Sequence, residues 1–189
     1  LEEFIPKIIK KTKYFYVYKF IDGKVFSSLE NKKKIFSDLL FWLKNQFWRK
    51  KKLNFKQYNE FKKCSHNFYY KKSIKRISIF FKKHNLSDTS EIINKIRVPK
   101  LSKILKSIDW KYLKNGSASN FHGDLHFENI CVKNNKFILL DWRESFEKLK
   151  NFGDLYYDLA KLNHGFIIDH NIIKKQKFSI NLNKKKISL

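Results

Sequence analysis

Methionine is missing altogether from this chain of 189 residues, and proline (two), cysteine (two) and glycine (five) are sparse. Cys64 and Cys131 stand far apart, without the spacing of a zinc knuckle or a redox pair. They read as buried thiols, with a single disulfide as the open alternative. The glycines at 23, 116, 123, 153 and 165 are too scattered to form a phosphate-covering glycine-rich loop. Acidic residues are few, 17 against 42 Lys and Arg, which leaves a formal net charge of +25. Arginine is scarcer still, at positions 49, 76, 97 and 143. Proteins that read nucleic acids lean on its bidentate fork, so the charge describes a lysine coat better than a nucleic-acid interface. Lysines interrupt every apolar run short of a membrane span. The acidic Leu1-Glu2-Glu3 is unlike the basic start of a secretory signal. A cytoplasmic protein is the expectation.

What is present is a globular composition, 42% hydrophobic and 17% aromatic. Residues 13–20 form an aromatic and β-branched run typical of a strand, and Asp22-Gly23 supplies a turn. After Asn31, apolar residues at 35, 36, 39, 40, 43 and 47 predict a helix. Helices are further expected over 55–84, from Ser87-Asp88 to Ile96, from Pro99 to Ile108, and over 151–163. Short strands are expected at 119–122, 129–133 and 136–140, with Asn134-Asn135 as a hairpin turn. Phe178 to Leu182 alternates as a strand and a second one begins at Ile187. That broken-off hairpin and the missing methionine predict a piece of a longer protein.

The chemistry concentrates in His122-Gly123-Asp124-Leu125-His126-Phe127-Glu128-Asn129, followed by the apolar run Phe137–Leu140 that ends in Asp141. A phosphoryl-transfer site needs a carboxylate to accept the acceptor's hydroxyl proton and oxygen ligands for a metal on the phosphates. Asp124 suits the first role, while Asn129 and Asp141 suit the second. The kinase pattern H-R-D-L-x-x-x-N followed by a metal-binding Asp has this spacing, with Gly123 here in place of Arg. Further on, Gly153-Asp154-Leu-Tyr-Tyr-Asp158-Leu-Ala160 forms a second patch.

Both patches resemble the aminoglycoside phosphotransferase and choline kinase family, small-molecule kinases with a protein-kinase-like fold. The resemblance covers residues 119–164 well and 14–30 faintly. It implies an α+β fold, the kinase C-terminal lobe, mainly helical with small antiparallel hairpins around the catalytic loop. Residues 1–23 would be the end of an N-lobe and the hinge, and 24–189 the C-lobe. It implies ATP and Mg2+ as cofactors, with Asp124 and His122 as catalytic residues and Asn129 and Asp141 as metal ligands. Gly123 and Asp158 would support the loop. Tyr18, Lys19 and Phe20 would recognise the nucleotide from the hinge, although an aromatic strand before a turn is also plain core. The implied reaction moves the γ-phosphoryl group of ATP to a hydroxyl of a small molecule such as a sugar, amino alcohol or aminoglycoside. The few acids tilt that acceptor toward a neutral or anionic one.

Other readings remain beside it. His122, Asp124 and His126 alternate, so on a strand they would line one face as a zinc-hydrolase triad. Without the lysine and glycine-rich loop of an N-lobe, the chain would be an inactive pseudokinase. A lysine-rich protein binding nucleic acid or an anionic surface is the alternative from another class. Glu128, Arg143, Glu144, His164 and His170 read as surface or supporting groups, with Arg143 and Glu144 near enough to touch a substrate.

Overall fold

The computed structural model describes residues 4–168, 170–183 and 186–188, leaving aside the side chains of 170, 171, 181–183 and 186–188. It is a mixed α/β structure with small sheets. Strands β1 (Ile8–Lys11) and β2 (Tyr16–Tyr18) form an antiparallel hairpin. Its turn is tied by the Thr12 hydroxyl, which donates to Phe15 O (3.0 Å) and accepts from Phe15 N (3.1 Å). A short β3 (Lys24–Val25) leads to a 3-10 turn and then α1 (Lys32–Trp42), which continues as a π-turn through Phe47. Helix α2 (Phe55–His66) follows.

After a second π-turn come α3 (Lys72–Lys83), the hairpin of β4 (Glu91–Ile93) and β5 (Ile96–Val98), α4 (Leu101–Ser107) and α5 (Trp110–Leu113). The helix expected from Ser87-Asp88 to Ile96 is therefore a hairpin. Ile92, Ile93, Ile96 and Val98 are β-branched, and Asn94 and Lys95 turn the chain at φ 48° and 67°. Asp88 does cap a helix, but it is α4: its carboxylate accepts from Leu101 N (2.7 Å) and Ser102 N (3.1 Å).

The motif region opens with β6 (Ala118–Ser119) and continues through β7 (Ile130–Lys133) and β8 (Lys136–Leu139) to β9 (Gly153–Asp154) and α6 (Leu155–Ile167). Then come α7 (His170–Lys174), β10 (Asn181–Asn183) and β11 (Lys186–Ser188). Asn134 and Asn135 make the expected β7–β8 turn at φ 48° and 58°. The strand expected over 119–122 stops at Ser119, and beyond it the chain runs as a loop. Most sheet contacts are antiparallel, and β11 pairs with β4 in parallel.

The chain divides into two compact units, Leu1–Cys64 with Gly116–Ile167, and Ser65–Asn115 with Ile168–Leu189. Residues 1–23 thus belong to the unit that carries the motif. Its core joins Phe26, Leu39, Leu43 and Phe47 to Leu125, Phe127, Ile130, Leu139 and Leu162, all buried. Phe127 packs on Phe26 (4.8 Å between centroids) and edge-on to Phe166 (4.9 Å). Leu125 and Phe127 point into this core from the middle of the loop, so the polar residues between them are held at its surface. Cys64 and Cys131 are both free and buried, and burial raises both thiols, which leaves them unreactive.

Candidate active site

Backbone and side-chain contacts hold residues 122–129 in place. Asp158, on the first turn of α6, is buried beneath the loop. Its Oδ2 accepts from His122 N (3.0 Å) and Trp48 Nε1 (3.2 Å), and its Oδ1 accepts from Gly123 N (2.8 Å). Burial raises this carboxyl and the three donors oppose it, with the balance at about 6. Gly123 has φ +84°, and a Cβ there would meet Arg143 Cβ at 2.6 Å and the Phe121 ring at 2.7 Å. Only glycine fits both the conformation and the space.

His122 is fully buried, and both its ring nitrogens are used. Nδ1 accepts from Asp124 N (3.1 Å), so the proton is on Nε2, which donates to Leu140 O (2.8 Å). Burial lowers this imidazole to about 4, keeping it neutral. His122 therefore orients the loop and ties it to the end of β8. The alternating triad His122, Asp124 and His126 does not assemble into a metal site, because His122 has no nitrogen to offer. Among the described residues no group of three His, Cys, Asp or Glu is disposed to hold a metal ion.

Asp124 emerges from this scaffold partly exposed. Lys161 Nζ lies 2.6 Å from its Oδ1, and His126 Nε2 lies 3.5 Å from its Oδ2. Burial raises the Asp124 carboxyl, but Lys161, His126 and Arg143 together outweigh it and hold the group below the ordinary aspartate value. Glu128 is not an idle surface acid, since its Oε2 lies 2.8 Å from His126 Nδ1. Asn129 is nearly buried, and its Nδ2 donates to Asp124 O (2.9 Å) and lies 3.3 Å from His126 Nε2. With an amide hydrogen committed to Asp124 O, Asn129 retains Oδ1 as a polar atom for other partners.

Asp141 follows β8 at φ 55° and is exposed. Leu140 N donates to Asn129 O (2.8 Å), so Asp141 sits one residue beyond the partner of Asn129 across the hairpin. An amide oxygen and a carboxylate are ligand types that a hard divalent cation such as Mg2+ takes. A pocket of about 300 Å3 begins at Asp141 and is lined by Ile8, Tyr16, Tyr18, Leu139 and Trp142.

Neither a family model, a curated protein nor a solved structure matches the chain. Asp124, His122, Gly123, Asn129, Asp141 and Asp158 are gathered around one loop. Of the hinge residues, Tyr18 lines the pocket, whereas Lys19 and Phe20 are not among its lining residues and Phe20 is 83% exposed. Tyr16 and Tyr18 stack at 6.1 Å on an exposed strand, which differs from a plain core strand. Asp154 is a buried cap, accepting from Ser117 N (2.9 Å) and Tyr156 N (3.2 Å). Sequence reasoning missed two residues. Lys161 lies three positions after Asp158, a helical spacing that puts both on one face and could have revealed it. Trp48 lies 110 positions from Asp158, and no local pattern signals that contact.

Proposed function

We propose that this unit performs ATP- and Mg2+-dependent transfer of a phosphoryl group to a hydroxyl of a small molecule. The observation that carries the reading is the commitment of Asn129 Nδ2 to Asp124 O and His126. That contact leaves the amide oxygen as the remaining polar atom of Asn129, and the backbone bond from Leu140 N to Asn129 O (2.8 Å) brings the chain on which Asp141 follows alongside it. The pocket that includes Asp141 is lined mostly by apolar and aromatic side chains, Tyr16 and Tyr18 among them, a lining that suits a planar base.

In this reading Asp124 receives the hydroxyl of the acceptor and takes its proton as the oxygen attacks phosphorus. Its carboxylate is ionised at neutral pH, because the surrounding cations hold it below the ordinary range. His122 and Asp158 supply no proton; they keep the loop backbone in register, so that Asp124 needs no reorganisation during transfer. Asn129 Oδ1 and the Asp141 carboxylate would hold the magnesium ion. Bound there, it would neutralise charge on the phosphate oxygens and orient them. Tyr16, Tyr18 and Ile8 would cover the base and exclude water from it.

The test is ADP formation from Mg-ATP by the full-length native protein and its Asp124→Ala variant. Turnover falls by about 10²–10⁴ in the variant, the size of a general-base contribution. Equal turnover in the two proteins would remove Asp124 from the reaction.

A further inference from the structure

The cation on the base identifies a substrate class. We propose that the acceptor is an anionic hydroxyl compound whose phosphate or carboxylate is read by Lys161, an inference that rests on the phosphotransferase reading above. Lys161 reaches Asp124 from α6, one turn after Asp158. It binds Oδ1, while Oδ2 is the oxygen that faces His126 and, through it, Asn129. Lys161 is therefore placed on the edge of the base other than the one that faces the metal-ligating side. Both partners remain partly open to solvent, at 28% and 33% exposure, so a ligand can reach the pair.

Three of the acids nearest the loop are already engaged. Asp158 and Asp154 are buried and accept backbone N–H groups. Glu128 is drawn to His126. Arg143 adds a second cation: its N donates to His122 O (2.9 Å), and its charge acts on Asp124. An ammonium group brought to Asp124 would meet both cations, and such like-charge juxtaposition is costly. A neutral alcohol would have to share the carboxylate with Lys161. An anion differs from both, because it draws Lys161 off Oδ1 and so frees the base in the act of binding. The transfer then balances as follows. The hydroxyl proton passes to Asp124, and the oxygen lone pair forms the new bond to the γ-phosphorus. The bond from that phosphorus to the β–γ bridging oxygen breaks, and its electrons leave on ADP.

The experiment measures ADP formation from Mg-ATP by the full-length native protein, alongside calorimetric binding of Mg-ADP. The acceptors are glucose 1-phosphate and glycerate (anionic), glucose (neutral), and choline and kanamycin (cationic). An anionic compound is expected to raise ADP formation most, glucose 1-phosphate marking a phosphate reader and glycerate a carboxylate reader. Lys161→Met should raise KM for that compound about 10- to 100-fold, the worth of one charge-assisted hydrogen bond, with a smaller change in kcat. Lys161→Arg should restore KM to within a few-fold, and both variants should bind Mg-ADP as the native protein does. The proposal is overturned if choline, kanamycin or glucose is preferred, if neither anionic compound has an effect, or if Lys161→Met leaves KM unchanged. If the native protein fails to bind Mg-ADP, the phosphotransferase reading falls and takes this inference with it. Binding of Mg-ADP without a response to the anions overturns the inference alone.

Discussion

His122 shows how one side chain is assigned by counting its partners. A histidine beside an aspartate invites a catalytic role, yet its ring receives a hydrogen bond at Nδ1, gives one from Nε2, and is buried. Its folded-state value, about 4, lies below the ordinary 6.5. The neutral ring therefore contributes stability that is fully present above pH 6.5 and is lost as pH falls through 4. Asp158, raised to about 6, acts in the opposite direction over nearly the same range, because the folded state binds its proton more readily. Each window spans a little over two pH units and is worth about 3 kcal/mol, so the two contributions largely offset one another in the native protein. A His122→Gln variant separates them. The stability gap between native protein and variant in urea denaturation should widen by about 3 kcal/mol from pH 4 to pH 6.5. A gap independent of pH would mean that the ring is not held neutral.

Among the elements, α6 organises the site. Asp158 fastens the loop backbone, Lys161 meets the Asp124 side chain, and Leu162 anchors the helix in the core. Trp48, just beyond the π-turn after α1, ties that helix to the loop through Asp158 Oδ2. Trp48→Phe removes this donor from a buried carboxylate and should cost about 1.5–3 kcal/mol, read as a lower urea midpoint with an unchanged m-value. An unchanged midpoint would show that the indole contributes packing alone. The β7–β8 hairpin, α1 and α6 were legible in the sequence, because periodicity and the Asn134-Asn135 turn are local signals. The boundaries were less so: α6 begins at Leu155, four residues after the expected start, because Gly153 and Asp154 pair with Ser119 and Ala118 instead. The β4–β5 hairpin carries a helix-like signal in sequence, since Ser87-Asp88 is a sound capping signal whose target lies thirteen residues beyond Asp88, at Leu101.

At the scale of the whole molecule, the charge of +25 comes from 42 Lys and Arg against 17 acids and does not itself mark the candidate site. No helix among the described residues is long and apolar enough to cross a membrane. The candidate residues Asp124, Asn129 and Asp141 fall within one loop and one hairpin, where spacing in sequence translates directly into backbone proximity. The supports of the site were not all legible, since Trp48 comes to it from far along the chain and the pocket joins residues 5–18 to 139–142. The same distribution isolates the central claim, that Asn129 and Asp141 present a divalent cation to a nucleotide seated against Tyr16 and Tyr18. Calorimetric titration of ADP into the full-length native protein, with and without Mg2+, tests it most directly. Binding should require Mg2+ and disappear in Asp141→Ala. Mg2+-independent binding, or binding that survives in Asp141→Ala, would contradict the assignment.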